Sequence, residues 1–152
     1  MATTISKSPE ETLTLGDRWG REAMPGGVIA LTGDLGAGKT QLVKGIARGL
    51  GVTDRVHSPT FTLVNAYEGG RLTLFHLDLY RLETREQIVG AGLEEYFDCP
   101  AGVVVVEWAE RWFGEIPGSG FQLSGGSPRL RRVKIETLSE KERLISHEDS
   151  GA

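Results

Sequence analysis

Eight consecutive residues, Gly33-Asp34-Leu35-Gly36-Ala37-Gly38-Lys39-Thr40, constrain this chain more than any others. They satisfy G-x-x-x-x-G-K-[ST] at every fixed position, a pattern that works only between a strand and a helix. Glycines let backbone N–H groups turn inward around an anion with no side chain in the way. The helix that follows adds its unpaired N–H groups and the positive end of its dipole. A lysine at this place is a point charge for β- and γ-phosphates, and the threonine hydroxyl serves a magnesium ion. The flanks supply the required context. Val28-Ile29-Ala30-Leu31 is a continuous apolar run, as expected of a strand buried on both faces. Downstream, Leu42, Val43, Ile46, Ala47 and Leu50 form the apolar stripe of a helix that Gly51 stops, with Lys44 and Arg48 on its wet face.

The rest of the chain reads as alternating elements. Ser8-Pro9-Glu10-Glu11 predicts a helix start with a capping box, the helix running to about Ala23 and burying Leu15, Trp19 and Ala23. Pro25-Gly26-Gly27 breaks it. Extended runs at 61–67 and 71–80, joined by Glu68-Gly69-Gly70, predict a hairpin. A second helix is expected over 85–97, with Ile88, Leu93, Tyr96 and Phe97 inward. Val103-Val104-Val105-Val106 is the next buried strand, and runs at 120–124 and 129–137 read as edge strands. The predicted fold class is α/β: a single P-loop NTPase-like domain over residues 1–139, three-layered, its central sheet mostly parallel plus a hairpin. Residues 140–152 are polar and read as a frayed tail.

Composition excludes some functions. The 152 residues suit one hydrophobic core, and a formal charge of −4 argues against non-specific nucleic-acid binding, so any work on RNA is expected to go through a partner. Cys99 is the only cysteine, which rules out an internal disulfide or a cysteine cluster for zinc and reads as a packing residue. No stretch approaches the roughly 20 apolar residues that span a bilayer, and the first eight residues lack the apolar segment of a signal peptide. The expected location is cytoplasmic, away from the membrane.

A phosphate loop needs a carboxylate on a neighbouring strand to hold the metal's shell. Glu107 ends the four-valine strand at the edge where ligands gather in open α/β sheets, and Asp78 lies near the end of the second hairpin strand. Thr60, in Ser58-Pro59-Thr60-Phe61, stands where nucleotide switches place a γ-phosphate sensor, although the segment also reads as a simple turn. His76 is either a donor behind these acids or a core histidine, and Trp108 either covers the pocket or packs. Arg129, Arg131, Arg132 and Lys134 are split between two faces by strand alternation, which favours a solvated edge over an RNA groove.

The order of these motifs resembles the TsaE family of small bacterial ATPases, from about residue 8 to residue 112. Glu11-Thr12 and Gly16 precede the phosphate loop. Ser58-Pro59-Thr60-Phe61, His76-Leu77-Asp78-Leu79-Tyr80-Arg81-Leu82, Gly92-Leu93-Glu94-Glu95-Tyr96 and Glu107-Trp108 follow it. The resemblance implies a role in making threonylcarbamoyladenosine in tRNA, with ATP hydrolysis resetting a complex of TsaB- and TsaD-type partners and tRNA met indirectly. Carried over, Leu35, Gly36, Ala37, Gly38, Lys39 and Thr40 would bind the phosphates of ATP or ADP, and Thr40 with Glu107 would bind Mg²⁺. Asp78 would take part in hydrolysis and Thr60 would act as a switch. Pro9 maps to the region near the base. Gln87 departs from the family, standing where an acid is common, and the resemblance fades beyond Trp112.

A GTPase is unlike this chain, because Asn65 is the only asparagine and Ala66 follows it, so no Asn-Lys-x-Asp guanine motif exists. A small-molecule kinase is the alternative reading. It would need arginines on a lid to clamp the transferred group, and here Arg71 lies near the hairpin's tip and Arg81 at its far end, with no arginine cluster. A nucleotide-dependent interaction module without hydrolysis is the third reading.

Overall fold

Ser8 begins the first helix as its spacing predicts: its hydroxyl accepts from the Glu11 N–H at 3.1 Å, while the Glu11 carboxylate reaches back to the Lys7 N–H at 2.9 Å. The computed structural model describes residues 2–33, 38–56, 63–97, 101–113 and 130–150. In chain order the elements are β1 (Ala2–Ser6), α1 (Pro9–Glu22), β2 (Val28–Gly33), α2 (Lys39–Leu50), β3 (Val64–Tyr67), β4 (Leu74–Asp78), α3 (Arg85–Gly90), a 3₁₀ turn (Glu94–Phe97), β5 (Val103–Glu107), α4 (Glu110–Phe113), β6 (Leu130–Thr137) and β7 (Arg143–Ser150).

Seven strands form one sheet in the order β1-β7-β6-β2-β5-β4-β3. The four central strands β6, β2, β5 and β4 run parallel, while β3, β7 and β1 pair antiparallel. The mixed sheet of the α/β expectation is therefore present. Helices α1 and α2 cover one face over Ile29, Leu31, Val103, Val105, Val133 and Ile135. On the other face Val28, Ala30, Val104, Val106 and Leu77 meet Ile88, Phe97, Trp112 and Phe113. The four valines of β5 are each at most 1% exposed, because the strand lies inside the sheet with both faces covered. Burying a side chain of this size stabilises the fold by about 1.5–3 kcal/mol.

Three expectations are corrected. The helix over 85–97 is interrupted: it stops at Gly90, Gly92 takes φ +76, and the chain restarts as the 3₁₀ turn. A glycine in the left-handed region ends a helix cheaply, and Ile88, Leu93 and Phe97 are buried all the same. The run at 129–137 is β6, but it lies between β2 and β7 and not at the edge; the run at 120–124 falls outside the described residues. Residues 140–152 were expected to fray, yet Arg143–Ser150 form β7, paired with β6 on one side and β1 on the other. Backbone pairing on both sides holds a strand in which, among the described side chains, Ile145 alone is fully buried, so its polarity says little about its order.

Helices α1 and α2 approach backbone to backbone. A Cβ on Gly16 would lie 2.3 Å from the Leu42 carbonyl oxygen, and one on Gly49 would lie 2.1 Å from that of Asp17. Gly20 against Ile46 and Gly45 against Leu13 are equally close. Numbers rise together along both helices, so the two run parallel and begin at the same end. Between them Asp17 takes Arg21 on one carboxylate oxygen and Arg48 on the other, each at 2.5 Å. At the far end Arg71 donates to the carbonyls of Gly20 and Ala23 at 2.9 and 2.8 Å, closing α1, and its own N–H meets the last carbonyl of α2, Leu50, at 2.6 Å.

Candidate functional site

The parallel register places three strand ends side by side. Leu31 of β2 and Asp78 of β4 both pair with Glu107 of β5. The carboxylates thus stand at adjacent strand ends, on the face that α2 covers, since Val103 and Val105 two and four residues back belong to that side of the core. Strand β2 leaves the sheet at Gly33, whose φ is +145 and where a Cβ would lie 2.5 Å from the Ile135 carbonyl oxygen of β6. The first glycine of the motif is therefore required by the sheet itself.

Gly38 is the N-cap of α2 with φ +92, and no side chain caps the helix. That contrasts with α1 and α3, capped by Ser8 and Thr84. The first turn of α2 leaves its N–H groups to a ligand, the arrangement that suits an anion. Lys39 opens the helix, is 5% exposed, and donates from Nζ to the Gly33 carbonyl at 3.0 Å. Its ammonium also sits 4.3 Å from the centre of the Trp108 ring. Trp108 follows Glu107 with φ +58 and packs at 5.1 Å against Tyr80. Thr40 is half-buried in the same first turn.

Both acids are nearly buried, Asp78 at 4% and Glu107 at 5%. An oxygen of Asp78 accepts from the Tyr80 N–H at 2.9 Å, which closes the turn after β4. Glu107 Oε2 lies 2.5 Å from Nε2 of His76, which is fully buried. Among the described residues no three His, Cys, Asp or Glu side chains are grouped so that they could hold a metal ion by themselves. The donors on offer are hard oxygens, Glu107 and the Thr40 hydroxyl, which fit a magnesium ion completed by water and phosphate oxygens.

Of the residues expected from sequence, Gly38, Lys39, Thr40, Asp78 and Glu107 gather at this end of the sheet. Pro9 joins them: its carbonyl accepts from Gln41 of α2 at 3.3 Å, because the parallel helices start together. Leu35, Gly36, Ala37 and Thr60 lie outside the described residues, as does Cys99. Sequence reasoning missed how α1 is brought alongside; the signal was there, as Gly16-x-x-x-Gly20 and Gly45-x-x-x-Gly49. Arg71, a candidate clamp in the kinase reading, is held by carbonyls at the opposite end of α1. Gln87 accepts from the Glu83 N–H at 2.6 Å, so its side chain completes the N-terminus of α3. No helix among the described residues is long and apolar enough to cross a membrane.

Comparison with known proteins adds to this geometry. The sequence profile described as "Threonylcarbamoyl adenosine biosynthesis protein TsaE" matches residues 6–145, well past the point where the motifs fade. The tRNA threonylcarbamoyladenosine biosynthesis protein TsaE of Nostoc sp. strain PCC 7120 is 50% identical over 105 residues, covering 67% of this chain and 64% of that protein. Its counterpart in Bacillus subtilis strain 168 is 45% identical over 116 residues, covering 76% and 72%. The chain thus spans just under two thirds of the cyanobacterial relative's length. The crystal structure of Bacillus subtilis YdiB superposes with a TM-score of 0.74 at 34% identity, covering 99% of this chain and 86% of that one.

Proposed function

The chain belongs to the TsaE family of threonylcarbamoyl adenosine biosynthesis proteins, and from that premise we propose that it binds ATP with Mg²⁺ and hydrolyses it slowly to reset a TsaB–TsaD-type partner complex. The observation that carries the reading is the pairing of Asp78 with Glu107 at adjacent strand ends, with Lys39, at the uncapped start of α2, seated over the ring of Trp108 next to Glu107.

Each residue has a task set by its place. The loop amides and the start of α2 hold the phosphates, and Lys39 leaves the Gly33 carbonyl to meet their charge. Thr40 and Glu107 would offer oxygens to the cation, and Asp78 would orient the attacking water. When bound, Mg²⁺ neutralises charge developing on the β- and γ-phosphate oxygens. Pro9, beside Gln41, borders the space for the base. ATP is favoured over GTP by the missing guanine motif and by the family. tRNA is met through the partners, in the cytoplasm.

The test is a steady-state ATPase assay with and without the partner proteins. The isolated protein should turn over on the order of 10⁻⁴ to 10⁻² s⁻¹, as unassisted P-loop switches do, and the partners should raise that rate. Phosphorylation of a metabolite with no response to the partners would replace this reading with the kinase.

A further inference from the structure

Behind the two acids, one buried side chain has no assigned task. His76 is two residues before Asp78 on β4 and pairs with Val105, two residues before Glu107 on β5. Its imidazole therefore lies on the same face as both carboxylates, one step deeper in the sheet. Its exposure is 0%, and Nε2 sits 2.5 Å from Glu107 Oε2. As a ligand of the cation Glu107 would be the acceptor of this bond, with Nε2 its donor. The other ring nitrogen, Nδ1, is buried and has no partner among the described residues. A histidine kept only for core packing has no need of a carboxylate, and one kept for hydrogen bonding would satisfy both nitrogens. Among the described residues, the single bond this ring makes goes to Glu107, the acid that ends β5.

That bond has a geometric consequence. A glutamate at a strand end has three torsions and would sample several positions. With Oε2 tied to a ring that the sheet holds rigidly, the carboxylate is fixed. Oε1, which has no hydrogen bond from any described residue, is the oxygen left to face the cation. Partners behind a metal ligand orient it in this way and set its affinity.

The geometry points to His76 as a positioning residue, which locks Glu107 so that one carboxylate oxygen is presented to Mg²⁺ bound with the nucleotide. The inference rests on Glu107 being the metal-holding acid, and its test separates the two claims. Equilibrium binding of β,γ-imido-ATP is measured against free Mg²⁺ and in EDTA for the wild type, His76→Leu, His76→Gln and His76→Asn, with circular dichroism to confirm folding. The glutamine amide nitrogen occupies the place of Nε2, whereas that of asparagine falls short of Glu107.

The Mg²⁺ midpoint should rise about 10–100-fold in His76→Leu and His76→Asn and stay within about threefold of wild type in His76→Gln. Affinity in EDTA should change little in all three. An unmoved midpoint in a folded His76→Leu, or equal losses with and without Mg²⁺, would reduce His76 to a core residue. Should the leucine variant fail to fold, the glutamine–asparagine contrast decides, and equal behaviour of that pair overturns the proposal. Wild-type binding indifferent to Mg²⁺ would remove the metal role of Glu107 itself, and the inference with it.

Discussion

Trp108 holds a backbone conformation that bulky residues rarely adopt, φ +58 directly after the strand-ending Glu107. Such a conformation costs on the order of 1–3 kcal/mol and persists only where the surroundings impose it. Here the Ala109 N–H is bound to the Leu31 carbonyl and the Leu79 N–H to that of Glu107, so the chain on both sides is anchored. The turn lays the indole under the Lys39 ammonium. Nucleotide binding and Lys39→Ala should therefore shift Trp108 emission in the same direction, since either takes the cation off the ring. If the nucleotide-induced change persists in Trp108→Phe, the pairing is not what reports binding. Lys39→Ala should also lose nucleotide affinity while keeping its fold. Asp78→Asn separates structure from chemistry. The amide oxygen can still accept from the Tyr80 N–H, so nucleotide affinity should hold while hydrolysis falls by about 10²–10⁴. Equal loss of both would make Asp78 a turn residue alone.

At the scale of elements, the α1–α2 pair decides where the site's parts lie. The four glycines let the helices touch, and nothing larger fits: in Gly49→Ala the new methyl would meet the Asp17 carbonyl oxygen at 2.1 Å. Forced separation of this kind costs typically about 1–3 kcal/mol, which at about 2–4 °C per kcal/mol for a domain of this size should lower the melting temperature by several degrees. Gly90→Ala, with nothing within 4 Å of its added Cβ, should be neutral or slightly stabilising. Equal melting temperatures for the two variants would refute the contact. The same helix pair carries a pH signature. Hydrogen bonds from Arg48, then Arg21, hold the Asp17 carboxyl below its usual range. A depressed folded value means the pair's contribution is complete above the unfolded value of about 3.9 and is lost as pH falls through the folded one. Chemical denaturation from pH 6 down to pH 2 should show Asp17→Asn losing less stability in acid than the wild type. Parallel pH profiles would mean the ion pairs contribute nothing measurable.

For the whole molecule, the C-terminal strand is the sharpest test of the fold. β7 joins β1 to the rest of the sheet, buries Ile145 and sets His147 against Trp19 at 5.1 Å. A chain ending at Ser139 would leave β1 unpaired and one edge of β6 open, and exposed edges associate. Such a truncation should aggregate or melt far below the intact protein, whereas a frayed tail could be removed with no change in melting temperature.

Sequence alone determined the elements whose signal is local. The amphipathic stripe of α2, the cap at Ser8 and the four-valine strand each carry their own periodicity or turn chemistry, and the acids at the strand ends were legible because an apolar run that halts at a charge marks where a strand leaves the core. Tertiary structure decided what depends on neighbours. Residues 143–150 are a strand because two others flank them, since backbone pairing asks little of side chains. The parallel seating of α1 on α2 follows from four glycines whose meaning appears only when two backbones meet. His76 faces Glu107 because β4 lies beside β5 in a register that no local pattern encodes.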